Sequence, residues 1–168
     1  LNVKSINEKK IYVEINYILK IFKIDFIDIL YLHQNDLNIL CNKKIIKILK
    51  KLKKNKLIKN IGCSIYSKKE LLKISKLDIY NVYQVPINIT DTYLYSECVK
   101  LKKIKKIKIV ARSIFLQGTL LNDIKKHKFK KQINNYKKKI SNFCLKNKFN
   151  YYEYLIQFIK SLSSIDYV

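Results

Sequence analysis

Four short apolar runs, each ending in a polar residue, constrain this chain more than any other feature. They are Phe26–His33 (FIDILYLH), Ile58–Ser64 (IKNIGCS), Tyr80–Gln84 (YNVYQ) and Ile107–Ser113 (IKIVARS). Stretches with helical apolar spacing separate them. Strands alternating with helices imply βαβ units and a parallel sheet. Strands buried on both faces read as near-continuous apolar runs, as Ile27–Leu32 does. Right-handed crossovers then lay consecutive strands side by side. In a β/α barrel the ligand sits over the C-terminal ends of the strands. The polar endings therefore nominate His33, Ser64, Gln84, Arg112 and Ser113 as a candidate site.

Between the strands the spacing predicts helices over Lys9–Phe22 and Leu37–Lys54. The second carries Ile45, Ile48, Leu49 and Leu52 on one face and lysines on the other. Ser67 with Glu70 three residues on is a capping-box signature opening a short helix over Lys68–Ser75. The third strand spans Tyr80–Val85 and stops at Pro86, which cannot donate to a ladder. Asp91 is placed to cap a helix running to Lys105, and Gly118 marks a loop over Ile114–Leu121. Lys125–Lys139 reads equally as a solvated helix or a mobile loop. Helices follow over Asn134–Asn147 and Tyr151–Leu162, and the last four residues open a further strand.

At 168 residues the chain is long enough for one domain with a real core. A complete eight-stranded barrel takes about 250 residues. The chain has no Met and stops at the opening of a strand, so it is expected to be a fragment, one incomplete domain over residues 1–168. Its formal charge of +24 suggests a polyanion partner. Yet Arg112 is the only arginine among 36 basic side chains, and lysine does not replace arginine in bidentate recognition. The wealth of Ile, Asn, Tyr and Lys follows from AT-rich codons, so no specific nucleic-acid binding is expected. A weak, salt-sensitive attraction to anions remains. Cys41, Cys63, Cys98 and Cys144 show no metal-ligand spacing and are expected to be idle thiols in a reducing cytoplasm. No run approaches the roughly 18 apolar residues of a membrane span. Neither G-x-G-x-x-G nor a Walker motif is present, which disfavours a classical dinucleotide fold.

The ordered endings resemble the aldo/keto reductase family. "IDFIDILYLHQND" looks like the fourth-strand segment of that barrel, and "LKKLKKNKLIKNIGCSIYS" like the helix and fifth strand. "YNVYQVPINITD" is similar to the sixth strand, and "IKIVARSIFLQGTLL" to the seventh with its loop. The closer likeness is to a bacterial branch associated with surface-polysaccharide biosynthesis. The resemblance implies an α/β fold, a partial (β/α)8 TIM barrel from the fourth strand through the start of the eighth. It implies NADP(H) or NAD(H) as cofactor and a small-molecule carbonyl substrate, sugar-like in that branch. Carried over by position, His33 is the catalytic His, and Ser64 and Gln84 hold the nicotinamide carboxamide. Ser113, Phe115, Gln117 and Gly118 form the loop along the pyrophosphate. Asn88 matches a family Asn, and a turn role competes with that reading. Arg112 stands where many members place a Tyr under the nicotinamide ring, and a structural salt bridge is its rival role. Ile65 replaces the Asn that commonly follows the fifth-strand Ser. The family's Asp, Tyr and Lys would precede Leu1 and its 2′-phosphate segment would follow Val168, so the chain alone is expected to be inactive. The motifs specify no oligomeric state. Two other readings compete: a lysine-rich polyanion-binding module, and a decayed gene fragment without activity.

Overall fold

The computed structural model describes residues 7–32, 36–122, 124 and 128–168. The first helix, α1 (Glu8–Phe22), is capped by the Asn7 side chain and ends at Lys23 in a left-handed conformation. It leads into β1 (Ile27–Leu32). The long helix expected next is two helices, α2 (Leu37–Leu40) and α3 (Lys43–Lys54). Asn42 causes the break: its side chain accepts from the backbone of Lys44 and Ile45, starting a new helix rather than continuing the old one. The apolar face expected of this stretch is present, with Ile45, Ile48, Leu49 and Leu52 all buried.

β2 (Ile58–Ser64) occupies its expected span. The Ser67–Glu70 capping box is formed and opens α4 (Lys68–Ile74). β3 (Val82–Pro86) starts later than expected, because Tyr80 is used as an anchor. Its hydroxyl donates to the Leu40 carbonyl at 2.8 Å, tying this corner to the end of α2. Pro86 is the last residue of the strand, where a missing N–H is tolerated. α5 (Tyr93–Lys102) is shorter than expected, and the Asp91 side chain accepts from the Tyr93 N–H at 2.9 Å. β4 (Lys108–Arg112) ends before Ser113, which turns the chain at φ 55°. Most of the lysine-dense stretch left open by the sequence is helical, in α6 (Lys130–Lys146), and α7 (Tyr151–Ser161) follows. At the end of the chain Tyr167 makes a single parallel bridge to Val110.

The four strands form one parallel sheet in the order β1-β2-β3-β4. Leu30, Leu32, Ile61, Cys63, Tyr83, Val85, Ile109 and Ala111 share one buried cluster with helix residues that include Leu49, Ile74, Leu94 and Cys98. Strand alternation puts the intervening residues on the opposite face. There the register aligns Tyr31 with Gly62 and Val82, and Ser64 with Gln84 and Val110. Among the described residues no helix is long and apolar enough to cross a membrane.

Candidate active site

The face opposite the helices carries Ser64, Gln84 and Arg112 toward its C-terminal end. Ser64 and Gln84 are register partners on β2 and β3. The Ser64 hydroxyl donates to Gln84 Oε1 at 3.2 Å. This leaves the Gln84 amide N–H groups to donate and the Ser64 oxygen to accept. A donor beside an acceptor matches a primary carboxamide, which offers the reverse pair. Ser64 is buried, so the pair sits on the floor of the site rather than in bulk water.

Arg112 ends β4 opposite Pro86. Its guanidinium donates to the Tyr66 hydroxyl and lies over the Tyr66 ring, 4.8 Å from the centroid. The rival expectation of a salt bridge is not what this geometry shows: the partner is a neutral phenol. Tyr66 was not among the residues nominated from the sequence. Its place is set locally, since its backbone N–H donates to Glu70 Oε2 at 2.7 Å, the carboxylate that also closes the capping box.

The loop after β4 has an unusual backbone. Ser113, Leu116 and Gln117 have φ of 55°, 49° and 53°, and Gly118 has 82°. Leu116, Gln117 and Gly118 follow one another with positive φ, so the loop is a tight turn, the kind of backbone whose unpaired N–H groups suit an anion. The loop closes on itself through Leu116 N–H to Ser113 O at 2.7 Å and Gly118 N–H to Phe115 O at 3.0 Å. The N–H groups of Ile114, Phe115 and Gln117 donate to nothing among the described residues. Phe115 is half-buried and Gln117 exposed.

Asn88 is buried and works as a turn residue. Its Oδ1 accepts from the Thr90 N–H at 3.0 Å and the Thr90 hydroxyl at 2.6 Å. His33 lies outside the described residues. Tyr31 is no substitute proton donor: burial, with Cys63 and Tyr167 nearby, pushes its phenol up to about 12. All four cysteines are free thiols.

A model of the aldo/keto reductase family matches residues 2–165. No curated protein matches the chain. Several solved structures share its fold. A glycerol dehydrogenase from Gluconobacter oxydans superposes with a TM-score of 0.73 at 14% identity, over 98% of this chain and 55% of that one. The holo form of an aldo-keto reductase from Bacillus halodurans gives 0.60 at 18%, over 75% and 43%. An aldo/keto reductase from Klebsiella pneumoniae, solved with NADP and acetate, gives 0.54 at 14%, over 67% and 40%. The chain thus spans 40 to 55% of the length of these proteins. The fold is α/β with parallel strands, part of the barrel those proteins share, and the chain belongs to the aldo/keto reductase family.

Proposed function

We propose that this chain supplies the cofactor-facing part of an NAD(P)H-dependent carbonyl reductase, as a single incomplete barrel domain that does not turn over by itself. The observation that carries the reading is the Ser64–Gln84 pair at the C-terminal end of a parallel sheet, with the Arg112 guanidinium beside it and open N–H groups on the next loop. Gln84 donates to a carboxamide oxygen and Ser64 accepts from its nitrogen, which fixes the ring plane against the sheet. The loop N–H groups of Ile114, Phe115 and Gln117 stabilise phosphate oxygens without a side-chain charge. Bound there, a reduced nicotinamide supplies the hydride. His33, carried over from the family motif, orients the carbonyl oxygen and shares in moving a proton to it.

We further propose a small sugar-like carbonyl as substrate, in line with the motif likeness to the polysaccharide branch. The likeness in fold to a glycerol dehydrogenase, named for a polyol, points the same way. Four free thiols, three of them buried, suit a reducing cytoplasm. The test uses the full polypeptide that carries these residues. Quenching of NADPH fluorescence is expected, and Gln84→Ala weakens it. His33→Ala lowers turnover by about 100-fold, the lower end of what a positioned acid–base group supplies. Unchanged turnover removes His33 from the mechanism.

A further inference from the structure

Arg112 ends β4, Tyr66 follows β2, and β3 runs between them. Neighbouring strands lie about 4.8 Å apart, so a contact between these two side chains crosses roughly 10 Å over the end of β3. Gln84 and its partner Ser64 lie on the same face just before that end. The guanidinium is therefore held across the top of the carboxamide-matching pair. Among the described residues Arg112 makes no ion pair, so its charge is not neutralised. A guanidinium does not deprotonate in proteins.

We propose that Arg112, positioned by Tyr66, makes this site discriminate between the redox forms of the nicotinamide, binding the reduced form more tightly than the oxidised one. The inference rests on the cofactor reading above. The reduced ring is neutral and the oxidised ring carries one positive charge. A fixed cation beside the ring costs the oxidised form a like-charge repulsion that the reduced form does not meet. The position opposite many family members' Tyr thus changes from a neutral surface to a charged one. Tyr66 suits the positioning role because a phenol holds the guanidinium by stacking and one hydrogen bond without cancelling its charge. An acidic partner would have removed the effect.

The remaining 35 basic side chains (36 less Arg112) also favour the more anionic reduced cofactor. Most of that field is screened beyond about 8 Å at physiological ionic strength. The test therefore measures dissociation constants for NADPH and NADP+ by titration calorimetry of the full polypeptide, at physiological and at raised salt. The wild type is expected to bind NADPH about tenfold tighter or more, the ratio persisting at raised salt. Arg112→Met brings the ratio toward one, chiefly by tightening NADP+, and Arg112→Lys keeps part of it. Tyr66→Ala lowers the ratio with the arginine still present, and Tyr66→Phe, which keeps the stack, lowers it less. These two variants carry the test if Arg112→Met does not fold. Lys47→Met, the same charge change on the exposed face of α3, leaves the ratio unaltered. An unchanged ratio in Arg112→Met overturns the inference, as does an equal loss of both forms, which would make Arg112 a phosphate ligand. Failure of the wild type to bind either form overturns the cofactor reading itself, and this inference with it.

Discussion

Gly62 shows what a single missing Cβ does in this sheet. It faces Tyr31 across the β1–β2 pair, and a Cβ built on it would lie 2.4 Å from a ring carbon of Tyr31. The ring occupies the space a Cβ would need, so Gly62→Ala forces the strand or the ring to move. The expected cost is about 1–3 kcal/mol, as for overpacking elsewhere, read as a lower denaturant midpoint. Tyr31→Leu in the same chain recovers part of it; no recovery would show that the alanine is resisted by backbone instead. Tyr31 also leaves a mark on pH dependence. Its phenol rises from 10.0 to about 12 on folding, so the folded state holds the proton more tightly. That contribution is complete below pH 10 and is lost as pH climbs to about 12. The wild type should therefore lose stability relative to Tyr31→Phe across that window, the lysine titrations being common to both chains. A constant difference would mean the phenol is not buried as described.

Among the elements, α4 ties local sequence to the site. Glu70 accepts from both Tyr66 and Ser67 N–H groups, at 2.7 and 3.2 Å, while the Ser67 hydroxyl accepts from Glu70 N–H at 3.2 Å. Ser67→Ala is expected to cost about 1 kcal/mol, seen as a lower melting temperature. An unaltered melting temperature would mean the cap is replaced by water. This box was legible in the sequence because it is a pattern four residues long. So was β2, whose apolar run and polar end are contiguous. Asn42 was not legible as a break, since the apolar period runs unbroken through it and only the cap hydrogen bonds reveal the interruption. Tyr80 has the composition of a strand residue, but its hydroxyl is used 40 residues away. The Arg112–Tyr66 contact spans 46 residues, and no local pattern could have joined them. The sequence put Ser64 and Arg112 at strand ends, and the loop residue that holds Arg112, Tyr66, had no signal there.

Over the whole molecule, charge is the dominant unbalanced quantity. Twelve acidic side chains face 36 basic ones, so complete pairing would still leave most lysines facing one another. Most ion pairs among the described residues are exposed or half-exposed, such as Lys51–Glu8 at 2.6 Å and Lys105–Asp78 at 2.8 Å, while Glu97, paired with Lys68 and Lys100, is largely covered. Exposed pairs contribute little each. Salt should therefore relieve more repulsion than it removes attraction. Melting temperature is expected to rise between about 0.05 and 0.5 M sodium chloride, most of it within the range where the Debye length is still shrinking appreciably. A fall would show that the few ion pairs outweigh the net charge.

The sheet order carries a consequence for how the molecule is made. β2, β3 and β4 each pair with the strand translated just before, and among the described residues none is inserted between two others. A chain leaving the ribosome can thus lay down its sheet in the order of manufacture, with successive strands arriving on the order of seconds apart. During each interval the newest strand presents an unpaired edge to the cell. An edge that waits for its own next strand will also accept one from a neighbouring nascent chain. The same arrangement that makes assembly simple therefore makes the pace of translation a determinant of yield.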